Sequence, residues 1–109
     1  MAITTPKIFG QAKPTDVLNE TLLYTVPEAT QAQVTLYVCN QGGSVEYFRI
    51  ALVPNNQVIA SPRYIAYDTQ LTGNGVFSVA GIGLNAGDAI WVKSQFANLS
   101  FTATGIEFS

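Results

Sequence analysis

Histidine is absent from this 109-residue chain, and cysteine occurs once, as Cys39. Without an imidazole there is no Ser–His nucleophile pair and no base to activate the Cys39 thiol. One cysteine also excludes an internal disulfide framework and a multi-cysteine zinc site. Charge is scarce as well. Lys and Arg number five against seven Asp and Glu, and charged residues are 11% of the chain, against about 25% in an average soluble domain. With a net charge of −2 and no basic block, a phosphate-binding surface and a nucleic-acid partner are not expected. No apolar run approaches the roughly 20 residues of a membrane-spanning helix. Met1–Gly10 lacks the charged start and long apolar stretch of a secretory signal, so the expectation is a protein made in a host cytoplasm and not exported by the general route. The Asn19-Glu20-Thr21 and Asn98-Leu99-Ser100 triplets then read as chance matches to the glycosylation pattern.

What the chain has in place of charge is Thr, Ser, Asn and Gln among short apolar alternations. A surface of hydroxyls and amides loses little on burial, which suits permanent assembly and predicts a homo-oligomer, a dimer or a trimer. The clearest alternation is Gln31–Asn40, with Ala32, Val34, Leu36 and Val38 on one face and Gln33, Thr35, Tyr37 and Cys39 on the other. A period of two is the signature of a half-buried strand. Thr21–Val26, ended by Pro27, reads the same way, as does Ser44–Val53, with Phe48, Ile50 and Leu52 inward and Tyr47 and Arg49 outward. Arg63–Thr69 is a further strand, Val76–Ala80 carries Phe77 and Val79 inward, and Gln57–Ala60 reads as a short edge segment. Gly81 and Gly83 imply a bulge or bend before Leu84.

Ala89–Ser94 and a run from Leu99 complete the chain. In the latter, Leu99, Phe101 and Ala103 alternate with Ser100, Thr102 and Thr104. Two runs separated by four residues predict a hairpin at the centre of the fold, with Trp91 buried in it. Turn signals at intervals of about ten residues and no sustained helical periodicity predict one all-β domain, an antiparallel β-sandwich of seven or eight strands, jelly-roll or immunoglobulin-like. The sandwich spans residues 17–109. Residues 1–16, with Pro6 and Pro14, form an extended N-terminal arm. It lies either along its own sandwich or on a neighbouring subunit.

Chemistry has little to work with. Lys93 and Ser94 are adjacent and so face opposite sides of a strand. Asp68 and Asp88, with Asn74 or Asn85, are more consistent with Asx turns than with a calcium site. Gly81 and Gly83 lead into no helix and no lysine, so they form no phosphate loop. No catalytic, cofactor-binding or metal-ligating residue is expected. The candidate interaction residues are Ile3, Ile8 and Phe9 on the arm, and Tyr37, Tyr47 and Arg49 on outer sheet faces, joined by one of Tyr64 or Tyr67. Tyr and Arg are enriched at protein interfaces.

Six landmarks follow in order: Tyr24-Thr25-Val26-Pro27, Val38-Cys39-Asn40-Gln41-Gly42, Phe48-Arg49-Ile50-Ala51-Leu52, Tyr64-Ile65-Ala66-Tyr67-Asp68, Leu84-Asn85-Ala86-Gly87-Asp88 and Ala97-Asn98-Leu99-Ser100-Phe101. From about Leu22 to Phe108 the chain thereby resembles a family of small β-sandwich virion proteins of tailed bacteriophages, found as capsid decoration (cement) proteins and as tail-associated modules. The resemblance implies a structural protein of the virion and not an enzyme. It favours decoration of the capsid surface by contact with the major capsid protein, since the module stands almost alone behind a short arm. A tail, neck, baseplate or fibre component is the alternative, and a receptor- or glycan-binding module is a third. On the decoration reading, deleting residues 1–14 leaves a folded domain that no longer binds capsids.

Overall fold

The computed structural model describes residues 3–109. It contains eight strands: β1 (Thr4–Ala12), β2 (Thr21–Thr25), β3 (Gln31–Asn40), β4 (Glu46–Val53), β5 (Tyr64–Leu71), β6 (Val76–Leu84), β7 (Ala89–Ser94) and β8 (Leu99–Phe108). They form two four-stranded antiparallel sheets, β1-β8-β3-β6 (sheet A) and β2-β7-β4-β5 (sheet B). This is the strand order of a jelly roll. The immunoglobulin-like alternative is therefore set aside.

The core lies between the inner faces. Val34, Leu36 and Val38 of β3 and Leu99, Phe101 and Ala103 of β8 face Phe48 and Ile50 of β4 and Ile90 and Val92 of β7. Phe48 meets Phe77 and Phe101 with ring centroids 5.0 and 6.4 Å apart, in tilted and edge-on contacts. Fully burying one such ring is worth about 1.5–3 kcal/mol. The inward parity predicted for β3, β4, β6 and β8 is the observed one. The glycine bulge is also present: between Val34 and Leu36 of β3 the β6 partners jump from Ile82 to Val79, and Gly81 has φ +77°.

Three expectations are corrected. β7 and β8 are central strands, but they lie in opposite sheets and do not form a hairpin. The connecting residues Gln95–Asn98 are tied to both layers. The Gln95 amide donates to the Tyr47 carbonyl of β4, while the Asn98 carbonyl accepts from the Gln41 amide just after β3. Gln57–Ala60 is not a strand; it leads into a short 3-10 turn at Ser61–Arg63. Trp91 is half-buried on the outer face, because Ile90 and Val92 take the inward parity of β7.

The extended N-terminal segment takes the first of its two possible courses, along its own sandwich. β1 is the edge strand of sheet A, paired with β8 from Thr4↔Phe108 to Ala12↔Phe101. Phe9 stacks on Tyr24 at 4.5 Å, Lys7 pairs with Glu107 at 2.9 Å, and the Tyr24 hydroxyl donates to the same carboxylate at 2.7 Å. Met1 and Ala2 lie outside the described residues.

Candidate functional site

The outer face of sheet B gathers most of the unusual side chains. The ladder places Leu22, Trp91, Ala51 and Tyr64 side by side across β2, β7, β4 and β5. Ala51, fully buried, sits between the two large rings. One step along, Lys93 lies opposite Arg49. There the β5 partners jump from Ala66 to Thr69, and Asp68 adopts φ +50°. Such a bulge re-aims side chains. Here it presents both Tyr67 and Asp68 to Arg49, while the pairing with Ala51 turns Tyr64 outward as well.

The contacts run in series. Arg49 grips Asp68 with two nitrogens, Nε at 2.7 Å and Nη2 at 3.1 Å. Its guanidinium carbon lies 4.0 Å from the centre of the Tyr67 ring. Tyr67 meets Tyr64 edge-on at 5.0 Å, and the Tyr64 hydroxyl donates to Glu20 at 2.6 Å. Glu20 belongs to the connection between β1 and β2, which also places Val17 beside Tyr47, Arg49, Asp68, Lys93 and Gln95 around a shallow depression of ≈ 210 Å³. The exposed ion pair adds little stability and the cation–π contact about 0.5–1 kcal/mol. Their main effect is to hold Arg49 and Tyr67 in one arrangement before any partner arrives. Tyr67, 57% exposed, remains open to solvent.

The six interaction residues expected from sequence do not form one surface. Tyr47 and Arg49 belong to this platform. Tyr37 stands on the outer face of sheet A, on the other side of the sandwich. Ile3 and Ile8 are exposed at the β1 edge, whereas Phe9 is half-buried against Tyr24. Sequence reading missed Trp91, Lys93, Asp68 and Glu20 as members of the platform. Parity alone could have found the first two, because Ile90 and Val92 flank one and the other follows at the same parity.

The remaining chemical candidates are accounted for by local structure. Lys93 points outward and Ser94 into the interior, 1% exposed. Asp88 accepts from the Asn55 and Asn85 amides at 3.0 and 2.9 Å, as a turn acid does. Asp68 is engaged by Arg49. Cys39 is half-buried on the outer face of sheet A beside Val76 and Ser100.

The carboxylates set the response to pH. The Tyr64 hydroxyl holds Glu20 below its ordinary range, the Arg49 guanidinium does the same for Asp68, and the Tyr24 hydroxyl, then Lys7, for Glu107. Folded values below the unfolded ones mean stability that is present above about pH 4 and lost as pH falls through the folded values. Tyr24 has the opposite sign: burial and then Glu107 raise it. Its contribution is complete below about pH 10 and is lost as pH rises further. With no histidine to titrate between, the melting temperature is expected to be flat from about pH 5 to 8 and to fall by a few degrees below about pH 4. Thermal unfolding followed by circular dichroism across that range checks it; a slope centred near neutrality would refute it.

No family model matches this chain, and no curated protein matches it.

Proposed function

We propose that this protein is a structural component of a tailed-phage virion, a capsid decoration protein that stabilises the head by binding major capsid subunits. Its action is contact burial without chemistry. The observation that carries the reading is the platform on sheet B: Arg49, Tyr67 and Tyr64 held together by Asp68 and Glu20 on an outer face that also carries Trp91. Tyr, Trp and Arg dominate the binding energy of protein interfaces, and side chains ordered in advance lose less entropy on docking. The sequence landmarks given above supply the virion context. The jelly roll is an architecture that recurs in viral capsid domains, an analogy of fold and not of site. Self-association belongs to the same reading, because a surface with so few charges is readily covered.

Mass spectrometry of separated heads and tails tests the location. Recovery with heads supports decoration, recovery with tails alone moves the protein to the tail or baseplate, and absence from both refutes a virion role. Tyr67→Ala tests the surface. Tyr67 is exposed, so the fold should lose little beyond its contacts with Arg49 and Tyr64, about 1 kcal/mol, while binding to capsids should weaken at least tenfold, about 1.4 kcal/mol. Undiminished binding would remove the platform from the interface.

A glycan-binding module is the second reading, favoured by the outward placement of Trp91 in line with Tyr64. Sugar rings stack on aromatic faces, and Glu20, Asp68 and Lys93 nearby could take hydroxyl hydrogen bonds. Binding of the isolated protein to a glycan array, lost on Trp91→Ala, would support it; a silent array would count against it.

A further inference from the structure

A jelly roll leaves four edge strands, here β1 and β6 in sheet A and β2 and β5 in sheet B. Natural sheets protect such edges with proline, charge, bulges or cover, because a bare edge recruits another strand. β1 carries Pro6 and Lys7. β2 has only five residues, and β1 closes over it so tightly that a side chain at Gly10 would strike the Leu23 carbonyl. β5 carries Asp68 at a bulge and begins just after Arg63. β6 is different. Its nine residues, VFSVAGIGL, contain neither proline nor any charged residue, and beyond the β3 ladder none of its backbone groups finds a partner among the described residues. The bulge at Gly81 is its one protection, and it leaves Val76–Val79 straight.

Two further observations point to a strand arriving from outside. Gly83 has neither a positive φ nor any atom within 4 Å of where a side chain would begin. Nothing inside the molecule requires it to be glycine, and its missing side chain leaves the outer surface of β6 bare beside the edge, open to the close approach of another backbone. The neighbouring outer surface is also free of charge: β3 has no charged residue, and β8 has only Glu107 near its end. Val76, 64% exposed, and Tyr37, 44% exposed, add apolar area there.

We propose that β6 is the self-association edge of this protein and that the occupant is a second copy of the same strand. The two would pair antiparallel about a two-fold axis and join both A sheets into one of eight strands. A two-fold interface sets each patch against itself, so an edge bearing one sign of charge repels its copy. Among the four edges, β1 and β5 carry charge and β2 is short and covered by β1, so β6 alone offers a long, open edge free of charge and proline. The inference rests on the self-association part of the proposed function and not on capsid binding.

Sedimentation equilibrium of the full chain, with and without Ser78→Lys, tests it. Ser78 is exposed on β6 opposite Tyr37, so the added lysine leaves the core alone but places two like charges at the two-fold contact. The wild type is expected at twice its 11.7 kDa chain mass, and Ser78→Lys at the monomer mass with an unchanged circular dichroism spectrum. Thr5→Lys, an exposed change on β1, should remain dimeric. A dimer that survives Ser78→Lys would show self-association through another surface and overturn the β6 assignment. A monomeric or trimeric wild type would overturn the two-fold pairing itself. None of these outcomes bears on whether the chain binds capsids.

Discussion

Removal of residues 1–14 is expected to abolish stable folding, not merely binding. As a free arm, this segment would be dispensable to the domain. As β1, it covers β8 from Phe101 to Phe108, and its loss would leave the ladder groups of that stretch facing water or another chain. Phe9 would leave the Tyr24 ring, and Lys7 would leave Glu107. Pro14, buried at the start of the connection to β2, would go as well. Truncating a buried Phe alone is worth about 3–5 kcal/mol, with a half-buried ring at the lower end. A domain of this size holds only about 5–15 kcal/mol in total. The truncated chain should therefore be recovered as aggregate, or should melt without a cooperative transition. A soluble truncation melting within a few degrees of the full chain would show that β1 contributes little. Capsid binding by such a truncation would report folding as much as contact, so exposed substitutions such as Tyr67→Ala are the cleaner probe of function.

The second large effect is expected at Asn40, the last residue of β3. Its side chain is 1% exposed and makes three hydrogen bonds. Nδ2 donates to the Ser44 carbonyl at 2.8 Å and to the Leu71 carbonyl at 3.1 Å, and Oδ1 accepts from the Gly42 amide at 2.9 Å. One amide thereby ties the β3–β4 connection to the end of β5. Glu46, equally buried, accepts from Asn98 at 3.2 Å, and Asn74 donates to the Gly42 carbonyl. Three interstrand connections meet at this end of the sandwich. Asn40→Ala strands backbone groups at about 1–3 kcal/mol for each one that water cannot reach. A loss of about 3 kcal/mol follows if the loops relax around half of them. That corresponds to roughly 12–20 °C in melting temperature for a domain of about 100 residues. Urea denaturation measures the change directly. A loss below about 1 kcal/mol would mean that solvent replaces these bonds and that the connections are held by other contacts.

Neither effect is visible in the linear pattern, and the reason differs in the two cases. The N-terminal segment has prolines and no alternation because β1 buries little of either face: Thr4 to Ile8 are exposed, and only Phe9, Gly10 and Ala12 are half-buried. Pro6 is tolerated where one row of backbone groups has no neighbour. Asn40 stands at the strand end where a turn begins, and its bond to the Gly42 amide is an ordinary Asx turn. What makes it important is the Leu71 carbonyl, 31 residues further along the chain. The platform on sheet B divides likewise. Arg49 and Tyr47 were legible from the parity of their strand. Asp68 and Tyr67 were brought to Arg49 by a bulge that no period of two anticipates.

The chain by itself determined the strands from β2 onward and the inner faces of β3, β4, β6 and β8. Gln31–Asn40 and Ala89–Ser94 were bounded from sequence as they stand in the structure. The alternation of Leu99, Phe101 and Ala103 with Ser100, Thr102 and Thr104 fixed which side of β8 is buried, because successive side chains in a strand point to opposite faces whatever the strand pairs with. The tertiary structure alone decided the partners. Of the consecutive strands only β4 and β5 share a sheet and pair; every other connection crosses between the layers. Proximity in sequence therefore misled at β7 and β8. A hairpin and a crossing connection have the same local signature, short apolar runs around a polar break. What separates them is where the connecting amides find their partners, and those partners, Tyr47 and Gln41, lie far back in the chain.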